Sequence, residues 1–190
     1  MKYLSGRGFT DVDVLRKFGV GFADGTLHEK FLPSWNAKAG RDARRVLTEF
    51  GLFRKSGHEF FHGYIVFPIF DIEKKITNLY GRYCGNIELA KRHRYLPGPH
   101  SGIFNREAFR ETSLILCESI IDALTFYANG IANVTCSYGV EGFTEELFSA
   151  IKENGTKKVY IAYDNDPAGN GAALKLSEKL DTIGVECFRI

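Results

Sequence analysis

The stretch Val159-Tyr160-Ile161-Ala162-Tyr163-Asp164-Asn165-Asp166-Pro167-Ala168-Gly169 constrains this chain more than any other. An apolar run stops abruptly in two carboxylates, with a Pro and a Gly behind them. Aliphatic and aromatic residues over that length, bounded by turn formers, are the pattern of a buried parallel-sheet strand. Side chains alternate along a strand, so Asp164 and Asp166 project to the same side if strand geometry persists to the tip. Carboxylates so close repel each other unless a cation sits between them, and hard divalent ions take oxygen ligands of this kind. The plainer alternative is a surface turn in which both acids only cap a helix starting near Ala168.

A second segment repeats the design. Leu114-Ile115-Leu116-Cys117 runs into Glu118, after which Ile121, Leu124 and Tyr127 or Ala128 recur at helical spacing. Glu118 is therefore expected at a strand tip and Asp122 in the first turn of the next helix. Placement at a helix N-terminus is itself favourable for Asp122, by about 0.5 kcal/mol, whereas a strand-tip Glu gains nothing obvious in stability. Between the two acidic segments lie a short strand from Asn133 into Gly139 and a helix over Thr144–Ile151 opened by a Thr144 cap, and a further strand is expected over Val185–Ile190. Strand and helix alternating in this way predict a parallel sheet flanked by helices. Ligands bind such sheets outside the carboxyl ends of the strands, where both acidic segments point.

In this pattern the chain from about Thr112 resembles a Toprim domain, the catalytic module of bacterial DNA primases, type IA and type II topoisomerases and several nucleases. A strand-end Glu, an Asp four residues on, a Gly after the second strand and Asp-x-Asp after the third are its marks. Glu118, Asp122, Gly139, Asp164 and Asp166 stand in that order, with Gly169 in the turn behind. One departure is Ser119, where the family usually carries Gly. The preceding half resembles the start of a DnaG-type primase core: Val20-Gly21-Phe22-Ala23, Gly51-Leu52, Gly63 to Asp71, Gly81-Arg82 and Arg94-Tyr95-Leu96 fall where that family has its motifs.

The resemblance implies an α+β subdomain over residues 1–106 and a Toprim catalytic domain over 107–190, with an overall α/β fold. It implies template-directed synthesis of short RNA primers on single-stranded DNA from ribonucleoside triphosphates. Glu118, Asp122, Asp164 and Asp166 would then be the catalytic and metal-holding residues, around Mg2+ or Mn2+, with two ions expected. A replicative helicase is an expected partner through regions outside these residues. A Toprim strand-cleaving protein or a non-catalytic nucleic-acid-binding module would use the same fold.

Arg82, Lys91, Arg92 and Arg94, with Tyr95 and Tyr83 interleaved, form a cluster that attracts a phosphate backbone while rings stack bases. The bland reading is a solvated positive loop. Net charge is only +2, so any nucleic-acid binding must come from such local patches. The 16 Phe, many of them in the first half, read as subdomain core and not as base-stacking groups.

With 44% hydrophobic and 25% charged residues the chain has the composition of a folded globular protein. Cys84, Cys117, Cys136 and Cys187 show no Cys-x-x-Cys pair, and His28, His58, His62, His93 and His100 have no metal spacing. Reduced thiols, no zinc site, no membrane span and a cytoplasmic location are the expectations. The family's further acidic segment and helical subdomain lie beyond Ile190. A fragment, or a minimal core of mobile-element type with low intrinsic activity, is therefore expected.

Overall fold

The computed structural model describes residues 2–9, 11–85 and 92–190. In chain order the elements are α1 (Lys2–Ser5), α2 (Val12–Lys17), β1 (Gly21–Phe22), α3 (Leu27–Lys30), α4 (Lys38–Glu49), β2 (Tyr64–Phe70), β3 (Ile76–Tyr83), β4 (His93–Tyr95), a 3-10 turn (Arg106–Arg110), β5 (Ser113–Cys117), α5 (Ile120–Ala128), β6 (Val134–Cys136), α6 (Glu145–Glu153), β7 (Lys158–Ala162), α7 (Pro167–Asp181) and β8 (Glu186–Arg189). They form two compact units, one of Met1–Val14, Phe70–Lys75 and His100–Ile190, the other of Leu15–Ile69 and Ile76–Pro99. This division differs from a single cut at residue 106, because the chain passes between the units several times before it settles in one.

The first unit carries a four-stranded sheet in the order β6-β5-β7-β8. Each neighbouring pair in it is parallel, with Cys117 opposite Cys136 and Ala162 at the end of the β5–β7 ladder. The apolar runs seen in the sequence explain this. Leu114, Leu116, Val159 and Ile161 point to one face and pack with Leu147 and Ile151 of α6 and with Leu176 and Leu180 of α7. Each such buried side chain stabilises the fold by roughly 2 kcal/mol. Thr144 caps α6 by accepting from the Leu147 amide at 3.2 Å, as its position ahead of an apolar-periodic run requires.

β6 is an edge strand, and its outer side is covered by the chain before β5. Asn105, in the left-handed region at φ 52, donates to the carbonyls of Ala132 (2.9 Å) and Val134 (2.7 Å), and Thr135 donates to the Phe104 carbonyl. The Tyr138 hydroxyl sits between the carbonyls of Ser101 and Gly102, at 2.9 and 2.8 Å. Covering an edge in this way removes a template for unwanted pairing.

The second unit is built on a sheet in the order β1-β2-β3-β4. Its core is aromatic, with Phe67, Tyr64 and Tyr80 almost fully buried. The turn after β2 is closed by Asp71, whose carboxylate accepts from the amides of Glu73 (2.8 Å) and Lys75 (2.9 Å). Part of the basic cluster is strand and not loop: His93–Tyr95 form β4, antiparallel to β3, with Arg94 opposite Gly81 and Arg82 opposite His93. Three residues with Tyr80 and Tyr95 rings 5.0 Å apart are enough to add an edge strand. No helix among the described residues is long and apolar enough to cross a membrane.

Candidate functional site

The acids stand where the parallel strands end. Glu118 follows β5 directly, and its main-chain carbonyl accepts from the amide of Gly139 at 3.1 Å. Gly139 has φ +92, a conformation that side chains rarely take, so the turn after β6 can swing its amide toward Glu118 at little cost. The Glu118 carboxylate in turn accepts from the Asp164 amide at 3.4 Å, joining the ends of β5 and β7.

Asp122 lies in the first turn of α5. Ser119 is the N-cap of that helix: its hydroxyl accepts from the Asp122 amide (3.4 Å) and donates to the Asp122 carboxylate (2.6 Å). The side chain that departs from the Toprim pattern thus both caps a helix and orients an acid. Ser-x-x-Asp ahead of an apolar run is a capping signature that was legible in the sequence.

Strand geometry does not persist to Asp164 and Asp166, and for Asp166 the helix-capping alternative is the one the structure shows. β7 stops at Ala162, and Asp166 takes the N-cap position of α7, accepting from the Gly169 amide at 2.7 Å with Pro167 behind it. Proline at the first helical position starts the helix there and ends the strand earlier. Gly169 has no room for a side chain, because a Cβ would overlap the Asp164 carbonyl oxygen. Arg189 of β8, a residue that nothing in the sequence pattern marked, holds the same turn from the other side. Its guanidinium donates to the carbonyls of Ile161 and Asp164, each at 3.0 Å, and to Asn170 Oδ1 at 3.1 Å.

Burial raises the pKa of Glu118, opposed by the hydrogen bond from the Asp164 amide and reinforced by the charges of Asp164, Asp122 and Asp166. Glu118 therefore lies within electrostatic reach of the other three acids. Among the described residues, however, no three His, Cys, Asp or Glu side chains are gathered as a ready-made metal site. The carboxylates of Asp122 and Asp166 are turned to a hydroxyl and an amide instead. The donor set still suits a hard divalent cation, all oxygen and with a surplus of negative charge that a cation would relieve. Burial also pushes up the thiols of Cys117 and Cys136, which keeps them neutral beside the acids.

The cations tell a different story. Arg94 donates to the Phe60 carbonyl at 3.0 Å and lies over the rings of Phe60 and Tyr64, 5.3 and 4.8 Å from their centroids. Arg82 touches the ring of His93, whose Nδ1 lies 2.6 Å from the Tyr80 hydroxyl. Arg92 accepts from the Tyr83 amide through its main-chain carbonyl. Lys91 lies outside the described residues.

Comparison with known proteins agrees with this architecture. The family model for the DNA primase catalytic core, N-terminal domain, matches residues 1–109, and a Toprim-like model matches residues 115–190. The DNA primase of Clostridium acetobutylicum is 27% identical over 188 residues, covering 92% of this chain and 30% of that protein. The DNA primase of Aquifex aeolicus is 28% identical over 204 residues, covering 100% of this chain and 39% of that protein. The crystal structure of the Aquifex aeolicus primase zinc-binding and RNA polymerase domains superposes with a TM-score of 0.74 at 25% identity, over 100% of this chain and 48% of that one. A DnaG primase catalytic domain bound to single-stranded DNA shares the fold at TM-score 0.71 and 22% identity, over 99% of this chain and 64% of that one. The chain spans roughly a third of the length of the curated relatives it matches.

Proposed function

The chain belongs to the DNA primase catalytic core family, and on that premise we propose that it joins ribonucleotides into short RNA primers on a single-stranded DNA template. The observation that carries the reading is the group of acids at the ends of β5 and β7, with Glu118 kept more basic than an ordinary carboxylate. In the reaction a ribonucleotide 3′-hydroxyl attacks the α-phosphorus of a triphosphate and pyrophosphate leaves. Glu118, Asp164, Asp166 and Asp122 would hold Mg2+ or Mn2+, two ions in all, which neutralises charge on the reacting phosphate when bound.

The chain's own residues supply the rest. Glu118 would serve as a metal ligand or as a general base orienting a ligating water. Gly139 and Gly169 let main-chain groups approach the acids closely, while Ser119 and the Asp166 cap fix two of the carboxylates. Arg82, Arg92, Arg94, Tyr95 and Lys91 serve the template or the triphosphate. We assign residues 1–106 to template handling and 107–190 to chemistry.

The test is to incubate the protein with single-stranded template, ribonucleoside triphosphates and Mg2+ or Mn2+ and to resolve the products. Template-dependent oligoribonucleotides that vanish in D164A/D166A support the reading, and undiminished synthesis in that variant refutes it. Nicked DNA would mark a strand-cleaving protein instead, and retention without product a binding module.

A further inference from the structure

We propose a second nucleic-acid contact, separate from Arg82 and its neighbours: a cleft of about 390 Å³ built around Trp35, Arg44, Arg54 and Lys55, which takes a base and its flanking phosphates from a single strand. The proposal rests on the primase reading for the identity of the strand and on the following geometry for the site.

Trp35 is 60% exposed and yet held by several contacts. Arg44 on α4 reaches back over the loop that carries it, donating to the carbonyls of Pro33 (2.9 Å) and His28 (3.0 Å), with its guanidinium 4.7 Å from the indole centroid. Gly40 lets the loop lie against α4, since a Cβ there would overlap the Ser34 carbonyl. The fold therefore spends three hydrogen-bonding or ring contacts on holding one exposed ring in place. A pre-placed aromatic with an open face is the arrangement on which a base stacks.

The far wall of the cleft is the turn Arg54–Gly57, closed by hydrogen bonds from the Arg54 amide to His58 and from the Gly57 amide to Arg54, each at 2.8 Å. Gly57 takes φ +84 in open space, so the turn leaves the cleft unobstructed. Arg54 and Lys55 on this turn bring two positive charges to the rim; among the described residues no carboxylate lines the cleft, and the nearby Glu29 and Glu59 stand against His28. An anion is thus the complementary ligand, and an anion joined to a flat ring fits both walls. Arg54 also lies 5.9 Å from the centroid of the Phe60 ring, the ring that Arg94 approaches to 5.3 Å. The Phe60 ring thus has Arg54 of the cleft and Arg94 of β4 beside it.

Trp35 is the one tryptophan in the chain, so its emission reports this cleft alone. Titration with a single-stranded oligothymidylate should quench it, whereas an abasic oligomer of equal length should bind more weakly and leave it bright. By anisotropy of a labelled oligonucleotide, W35A should weaken binding about tenfold, the loss of one stacked base. R54A/K55A should lower the slope of log affinity against log salt by about 1.4, the share of two phosphates on a single strand. Unchanged affinity and salt slope in both variants overturn the inference, as does equal quenching by polyglutamate. The D164A/D166A variant separates the two claims: lost synthesis with retained quenching supports both. If the wild-type chain makes primers while the cleft variants bind normally, the inference falls and the primase reading stands. If it makes none while oligothymidylate still quenches Trp35, the reverse holds.

Discussion

In the parallel sheet the four candidate acids stand just beyond the strands, whereas in the antiparallel sheet the candidate arginines Arg82 and Arg94 stand inside them. Glu118, Asp122, Asp164 and Asp166 follow strand ends, in turns whose main chain is held by caps, a glycine and an arginine. Arg82 and Arg94 occupy ladder positions, and their guanidiniums lie against rings and a carbonyl. The difference is one of reserve. A carboxylate on a capped turn can exchange a hydroxyl or amide partner for a cation at small cost. An arginine in a ladder gives up ring and carbonyl contacts before it can serve a phosphate.

The sharpest way to break this comparison is to remove the acids. D164A/D166A should abolish primer synthesis, by at least 100-fold on a templated assay, while costing about 1 kcal/mol of stability through the lost cap. Because that stability loss is small, unfolding by urea distinguishes a dead site from a dead fold. Next in size, Gly169→Ala forces a methyl against the Asp164 carbonyl. It should cost roughly 1–3 kcal/mol and reduce synthesis as well, since the turn that carries Asp164 must shift. A fully stable and active G169A would show that the turn is soft.

Ser119→Ala removes the α5 cap and the hydroxyl that binds Asp122. We expect a loss of about 1 kcal/mol by urea unfolding. With its carboxylate released, Asp122 should give tighter Mg2+ dependence of synthesis, even though the fold is weaker. Ser119→Gly, which restores the residue usual in Toprim domains, should lose less stability and show the same shift.

The smallest effect concerns pH. A carboxyl whose pKa rises on folding binds its proton more tightly in the folded state. Its contribution is therefore greatest below the unfolded value of about 4.3 and is lost as pH climbs through the folded value. For Glu118 the sign is this one, from burial and neighbouring acids. E118Q should thus be stabilised relative to the parent as pH rises from about 4 to 7, read as a growing gap in urea midpoints. A gap that shrinks would mean that the Asp164 amide outweighs the surrounding negative charge.

Much of the parallel half was legible because burial on both faces writes continuous apolar runs, and helix caps such as Thr144 announce themselves. The strand ends were less so. That β7 stops at Ala162 follows from Pro167 starting α7, a local competition between strand and helix that alternation alone does not resolve. Arg189 was invisible for another reason: its guanidinium works across 25 residues of sequence, on the Asp164 carbonyl, and tertiary hydrogen bonds of that kind leave no periodic trace. In the antiparallel half, three residues of β4 between turns were too short a run to stand out from a basic loop.

Cys117 and Cys136 sit side by side at the closed end of the β5–β6 ladder, both without a disulfide and both buried. Neither sulfur can meet a reagent until those strands part, so their alkylation by iodoacetamide is a clock for that event, while half-buried Cys84 and Cys187 label sooner. Since Glu118 is the next residue after Cys117, a ligand that slows the clock has tightened the very strand end on which the acid is mounted.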